Sequence, residues 1–370
     1  MIKYALKQEM ELDGSFELRH EESFEVRPLI RFSFYIIEGF LLVIFNGVLV
    51  ATIVQHGALR FSQEYIIVGG LFLADALSGL GTFLAGVYRI YHKYISYTIN
   101  EPASHRDCFL APQNFVWVFA LPLQGLMQLV VSIDRVLAVK WPLQYLALSH
   151  NYPVQLIGAT YAFSFLQYLI IAVRSLSSAE LNVTKKCFSI MAVHSIDYTI
   201  FWGEATTASL ASIGVYVVVV FLYKGMQRTK VTSDCDTVRS QALARQRRFT
   251  RTVSVSCVCT FVFYALPTTF LNVIQNFPSV PYGVVAVWVW IISNINPLLN
   301  VVIFSKKQPE IRRGIAALLK RKTLPPSLSQ WKLVYSKGKG GAHAVSQIQR
   351  NASDLSGRPP RDKMYEESVN

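Results

Sequence analysis

Charge is what this chain has least of for its length. Only 16% of its 370 residues are charged while 52% are apolar, against roughly 25% charged in an ordinary soluble domain. That balance argues against a soluble globule. Motifs of catalysis are missing too: there is no HExxH, no P-loop, no GxSxG and no cofactor-type glycine pattern, so no enzyme is expected. The opening stretch MIKYALKQEMELDGSFELRHEESFEVRPLIR lacks the apolar core of a cleavable signal peptide, which leaves targeting to the first long apolar run. Lysine is absent from every long apolar run, and this excludes a retinal Schiff base. The acids inside those runs, Glu38, Asp75 and Glu204, form no repeat of the kind expected of a transporter or proton pump.

Long apolar runs are present seven times, over residues 32–54, 65–87, 109–133, 153–173, 198–223, 249–274 and 282–304. Each approaches or exceeds the roughly 20 residues that cross a bilayer as a helix. A buried soluble helix would explain one or two, not seven joined by polar connectors. The expected fold is an all-α membrane protein, a seven-transmembrane-helix bundle with a short cytoplasmic helix after the seventh span. Residues 1–31 then form an extracellular tail, 32–304 the seven-span domain, 305–320 a membrane-surface helix and 321–370 a disordered cytoplasmic tail rich in Pro, Gly, Ser, Lys and Arg.

Lys and Arg set the expected orientation. With the N-terminus outside, the inner loops and the C-terminal tail hold more basic residues than the outer loops, as the positive-inside rule requires. Arg27 and Arg31 before the first run, against Arg60 alone in the first inner loop, oppose this locally, and the summed bias prevails. The predicted location is the plasma membrane, multi-pass, with a cytoplasmic C-terminus. The net charge of +13 is then mostly cytoplasmic, in residues 224–251 and the tail, beside anionic membrane lipid and acidic partners rather than nucleic acid. The bland alternative is a solvated basic loop.

Five cysteines follow the same topology. Cys108 before the third span and Cys187 in the second outer loop both face the oxidising side and can form a disulfide, the alternative being two free thiols. Cys235 lies in the third inner loop and stays reduced. Cys257 and Cys259 lie two residues apart on different faces of the sixth span and read as buried small hydrophobes rather than metal ligands. Asn182-Val-Thr184 is a glycosylation sequon in the outer loop of Cys187, whereas Asn351-Ala-Ser353 falls in the cytoplasmic tail.

Polar residues inside spans are costly in lipid and mark function. Asn46, Asp75 and Asn296-Pro297 sit near the middle of the first, second and seventh spans. Together with Leu73-Ala74-Asp75, Asp134-Arg135-Val136 at the end of the third span, Pro142 and Tyr145 beyond it, Phe261 and Pro267 in the sixth span and Ser293 in the seventh, they give a chain that resembles the rhodopsin-like G-protein-coupled receptors over about residues 32–314. Departures are the missing sixth-span Trp (Tyr264-Ala265-Leu266-Pro267), no Pro in the fifth span, no Trp in the fourth, and Asn300 where the family has Tyr. With the SIDR..AV..P..Y ending of the third span, these make the chain look most like the nematode serpentine chemoreceptors, class SX or a related class.

The resemblance implies a receptor that binds an extracellular ligand, a chemosensory small molecule, and activates a heterotrimeric G protein. The alternatives are a peptide-type receptor of the same fold and a non-signalling seven-helix protein such as a transporter. Arg135, gripped by Asp134 or released, is the implied switch, with Tyr216, Phe261, Pro267, Asn296 and Pro297. Relatives often carry a second acid at the foot of the sixth span. Counting back from Pro267 puts Arg247 there, so repulsion of Arg135 and raised basal signalling are expected, the alternative being a basic stretch that simply anchors to anionic lipid. Asp75, with Asn46, Ser293 and Asn296, forms the implied polar core. Its third-span partner is Gln124 rather than Ser, which bears on a sodium ion near Asp75; no other cofactor and no metal is expected.

In the ligand half, Trp117 stands where amine receptors carry Asp, which disfavours a biogenic amine. Counting up from Tyr216 brings Glu204 to the inward level, where it would touch ligand or, alternatively, snorkel to the interface with Trp202. Leu121, Thr268, Thr269, Asn272 and Trp290 complete the candidate pocket, plain packing being the alternative for each aromatic.

Overall fold

The computed structural model describes residues 26–149, 151–178, 181–228, 237–274 and 282–320. The predicted tail 321–370, Cys235, Asn351 and the first 25 residues lie outside these. Seven long helices are apolar enough to cross a membrane, one on each predicted run. They are α1 (Val26–Gln55), α2 (Gln63–Ile90), α3 (Pro112–Lys140), α4 (Asn151–Leu176), α5 (Ser195–Arg228), α6 and α7 (Tyr282–Lys307). The sixth runs as Thr237–Thr260, a π-turn Phe261–Ala265 and Leu266–Ile274, together called α6. A shorter helix, α8 (Pro309–Leu319), follows the seventh span, and its Pro309 stands at the first helical position, where a missing N–H costs nothing.

The helices outrun the apolar runs because helix ends continue into water and headgroups. The second span is the clearest case: α2 continues past Val87 and turns into a π-helical segment, Tyr91–Ile95. Close packing between spans relies on small residues, since lipid gives no hydrophobic drive for helix association. A Cβ on Gly79 would collide with Leu42 of α1, and one on Gly39 with the α2 backbone at Phe83, so α1 and α2 meet almost backbone to backbone. Gly125 likewise brings α3 against α5, where a Cβ would lie 2.6 Å from the Ala205 carbonyl.

At one end of the bundle, β1 (Pro102–Ser104) pairs antiparallel with β2 (Leu181–Thr184). Beside them a disulfide joins Cys108 to Cys187. The Asn114 amide donates to the carbonyls of both Cys108 (2.9 Å) and Cys187 (2.8 Å), so the bridge is seated on the start of α3. Ser104 and Asp107 form a capping box at the short helix His105–Leu110. The Ser104 backbone N–H and hydroxyl hold the Asp107 carboxyl below the usual carboxylate range. Asn182 lies in β2; its side chain is outside the described residues. Cys257 and Cys259 are half-buried rather than buried.

Candidate functional site

The end of α3 opposite the disulfide holds a sealed ion pair. Arg135 and Asp134 are 0% and 1% exposed. Arg135 Nε donates to Asp134 Oδ2 at 3.0 Å, a second guanidinium nitrogen pairs with the same oxygen, and that nitrogen also donates to the Tyr145 hydroxyl at 3.0 Å. Tyr145 donates in turn to Asp134 at 3.3 Å. It reaches them from the short helix Pro142–Ala147, which starts on a proline. Over the guanidinium face, 4.7 Å away, lies the ring of Phe249 from α6. A cation on a ring face in a desolvated site contributes about 1–2 kcal/mol.

Arg247 does not face Arg135; it is exposed, which corrects the expected repulsion. The reason is the π-turn at Phe261–Ala265. A π-turn holds one residue more than an α-turn, so a count back from Pro267 lands one residue out. Gln246, the neighbour, is the buried one. The same slip leaves Phe261 41% exposed, while Thr260 turns inward and donates to Asn296 Oδ1 at 3.1 Å.

The sixth helix is held from other directions. Glu64 of α2 and Arg245 of α6 form an ion pair at 2.8 Å with side chains 4% and 23% exposed. Glu310 of α8 pairs with Arg248 at 3.3 Å and accepts from Tyr65 at 3.3 Å. Gln308, just before α8, accepts from Tyr65 at 3.1 Å and donates to Thr252 of α6 at 2.7 Å. The Tyr216 hydroxyl of α5 donates to the Thr250 carbonyl. Bases on α6 thus meet acids on α2 and α8. Glu64 went unnoticed in sequence because it precedes the apolar run of the second span and belongs to no motif.

The polar middle is only partly assembled by the residues expected. Gln124 donates to Asp75 Oδ1 at 2.6 Å, whereas Asn46 donates to the Leu42 carbonyl on its own helix. Asp75 Oδ2, Asn46 Oδ1 and Ser293 Oγ are buried without a hydrogen-bond partner among the described residues. Such oxygens suit ordered water or a small cation. Asn300, a departure from the family pattern, accepts from Ser256 at 2.5 Å. With Thr260 and Asn296 this makes two rungs, one helical turn apart, between α6 and α7. Pro297 lies within α7.

Toward the disulfide end, aromatic rings form a chain. Trp117 of α3 meets Trp290 of α7 edge-on at 5.4 Å, Trp290 meets Trp202 at 5.7 Å, and Trp202 stacks on Tyr198. The indole N–H groups of Trp117 and Trp290 are buried with no hydrogen-bond acceptor among the described residues. Leu121 is buried nearby in α3. Arg89 of α2, 2% exposed, lies over Phe188 at 4.4 Å and also over Tyr35 and Trp117. It was missed because the second apolar run was ended at Val87.

Other candidates stand apart. Glu204 accepts from Gln167 of α4 at 2.5 Å, so its described partner lies across the α4–α5 seam. Thr268 bonds back to the Tyr264 carbonyl at 2.7 Å, Thr269 is exposed, and the Asn272 side chain is outside the described residues. Glu38 of α1 is buried and accepts from Asn294 of α7 at 3.1 Å.

A family model described as serpentine type 7TM GPCR chemoreceptor Srsx matches residues 40–319. The chain belongs to this family. The human olfactory receptor OR51C1 is similar, at 26% identity over 225 residues, 58% of this chain and 68% of that protein. The matched span runs from α1 through α8, so it takes in the Arg135 cluster, the polar middle and the aromatic chain of this Srsx chemoreceptor. Chemoreceptors of this type are not enzymes.

Proposed function

We propose that this Srsx chemoreceptor binds an extracellular small molecule at the disulfide end and activates a heterotrimeric G protein at the Arg135 end. The observation that carries the reading is Arg135, buried in a pair with Asp134 and Tyr145 under a ring of α6. If α6 swings away, the guanidinium loses its cover and can donate to carbonyls of an entering helix. In this reading the disulfide end faces outward, the basic residues of α6 and α8 lie against the cytoplasmic leaflet and its anionic lipid, and Asn182 carries glycan.

The likeness to an olfactory receptor supports an odorant-type ligand over a peptide. The two indole N–H groups of Trp117 and Trp290 favour a largely apolar ligand with a hydrogen-bond acceptor. Ordered water, or a sodium ion, would be held at Asp75 with Ser293.

The test is a ligand screen in cells carrying a promiscuous G protein, followed by Arg135→Ala. Agonist response lost with surface expression intact is expected. An unchanged response in Arg135→Ala, or no response to any ligand class by a well-expressed receptor, would sink the reading.

A further inference from the structure

We propose that the cleft between α5 and α6 at the Arg135 end binds the phosphate-bearing headgroup of a membrane lipid. The cleft has a volume of about 220 Å³ and is lined by Val220, Tyr223 and Lys224 of α5 and by Thr250, Arg251 and Ser254 of α6. Its two charged side chains are both cations, and three more carry hydroxyls. A phosphate offers only acceptor oxygens at neutral pH, so an ammonium, a guanidinium fork and the Tyr223 and Thr250 hydroxyls form a matching donor set, the Ser254 hydroxyl already donating to the Thr250 carbonyl at 3.2 Å.

Arg245 and Arg248 are paired with Glu64 and Glu310, whereas Lys224 and Arg251 form no ion pair among the described residues. Arg251 is six residues from Arg245, which at 3.6 residues per turn points it ~120° away around α6. Glu64 therefore sits on another side of the helix from the cleft, while Glu310 is taken up by Arg248, three residues before Arg251.

The flanking surface argues for a lipid rather than a free phosphate. On α5, Val217, Phe221 and Lys224 share one face at helical spacing, and Val217 and Phe221 are 50% and 70% exposed. On α6, Arg251, Val255 and Val258 repeat the same spacing, with Val255 and Val258 39% and 62% exposed. Each helix thus presents a stripe with a cation at the end of the bundle and bare apolar side chains toward its middle. A charged head with an acyl chain complements such a stripe. The proposal rests on the orientation given above only for which leaflet supplies the lipid; binding does not require G-protein activation.

The experiment uses the full-length receptor in phosphatidylcholine nanodiscs, titrated with fluorescent phosphatidylinositol bisphosphate. Saturable binding is expected, weakened about tenfold or more in Lys224→Gln/Arg251→Gln, since each base near a membrane surface contributes roughly a fivefold factor. The exposed α8 pair Arg312→Gln/Arg313→Gln is the control: these bases lie at the same membrane surface but do not line the cleft, so their loss should weaken binding by clearly less than the cleft double variant. If the double variant does not fold, the single variants Lys224→Gln and Arg251→Gln, each with an intact thermal transition, should show the partial loss. Competition by inositol trisphosphate or inorganic phosphate as strong as by the lipid would overturn the lipid assignment. Undiminished binding in the folded double or single variants, equal loss in the α8 control, or displacement by an acidic peptide in preference to the lipid would overturn the site. A receptor that binds lipid here yet activates no G protein would leave this proposal standing and remove the signalling reading.

Discussion

At the scale of single residues, Glu64 matters more than its place outside every motif suggests. Its carboxylate is nearly sealed against Arg245, and removing one partner of a pair with this little exposure leaves the other charge poorly compensated. Glu64→Gln should favour outward movement of α6 by about 1–2 kcal/mol, or roughly 5–30-fold in the open population. Ligand-free G-protein activation in isolated membranes reads this directly. Arg247→Glu should leave basal output near wild type, because Arg247 points to solvent. Flat basal activity in Glu64→Gln together with a drop in Arg247→Glu would restore the repulsion picture. Another residue-scale bond, Ser256 to Asn300, is testable by a double-mutant cycle to alanine. Its coupling energy should be about 1 kcal/mol from thermal unfolding of the purified receptor, and a value indistinguishable from zero would show the rung to be idle.

At the scale of elements, spans were legible in sequence because a membrane helix must bury its polar backbone in its own hydrogen bonds and its side chains in lipid, so composition alone marks it. Register was not. The π-turn at Phe261–Ala265 has no composition of its own, and it moved Phe261, Arg247 and Thr260 off the faces that counting assigns. The approach of α1 to α2 at Gly39 and Gly79 also depends on which faces meet. Gly79→Leu would force backbones apart where nothing flexible can yield; a cost of about 1–3 kcal/mol or more is expected, seen as lost surface expression and a lower Tm. By contrast Gly158→Ala, where nothing lies within 4 Å, should express normally. Normal expression of Gly79→Leu would mean that α1 does not pack as described.

At the scale of the whole molecule, orientation follows from basic residues summed over loops, and glycosylation checks it. Deglycosylation should shift the mobility of the wild type and of Asn351→Gln but not of Asn182→Gln. The opposite pattern would turn the receptor over and place Arg135 outside. The connection between the ends of the bundle also belongs to this scale. The α6 helix is tied to α2, α7 and α8 by Arg245, Asn296, Asn300, Gln308 and Glu310, so outward movement of α6 has to break several bonds together, a condition for two-state switching.

Sequence alone determined the seven spans, which follow from composition, and made the short helix after them and the Cys108–Cys187 bridge expectations that the structure bears out; the role of Asp134 and Arg135 rests on the resemblance to a receptor family. Tertiary structure decided which side chains meet. Glu64 and Arg245 are far apart in the chain, Arg89 lies beyond the apolar run, Glu204 turns to Gln167, and Asn46 satisfies its own helix. The physical reason is that burial in lipid constrains how apolar a helix is, whereas partners are chosen by the rotation of each helix about its axis, and one extra residue in a turn is enough to change that rotation.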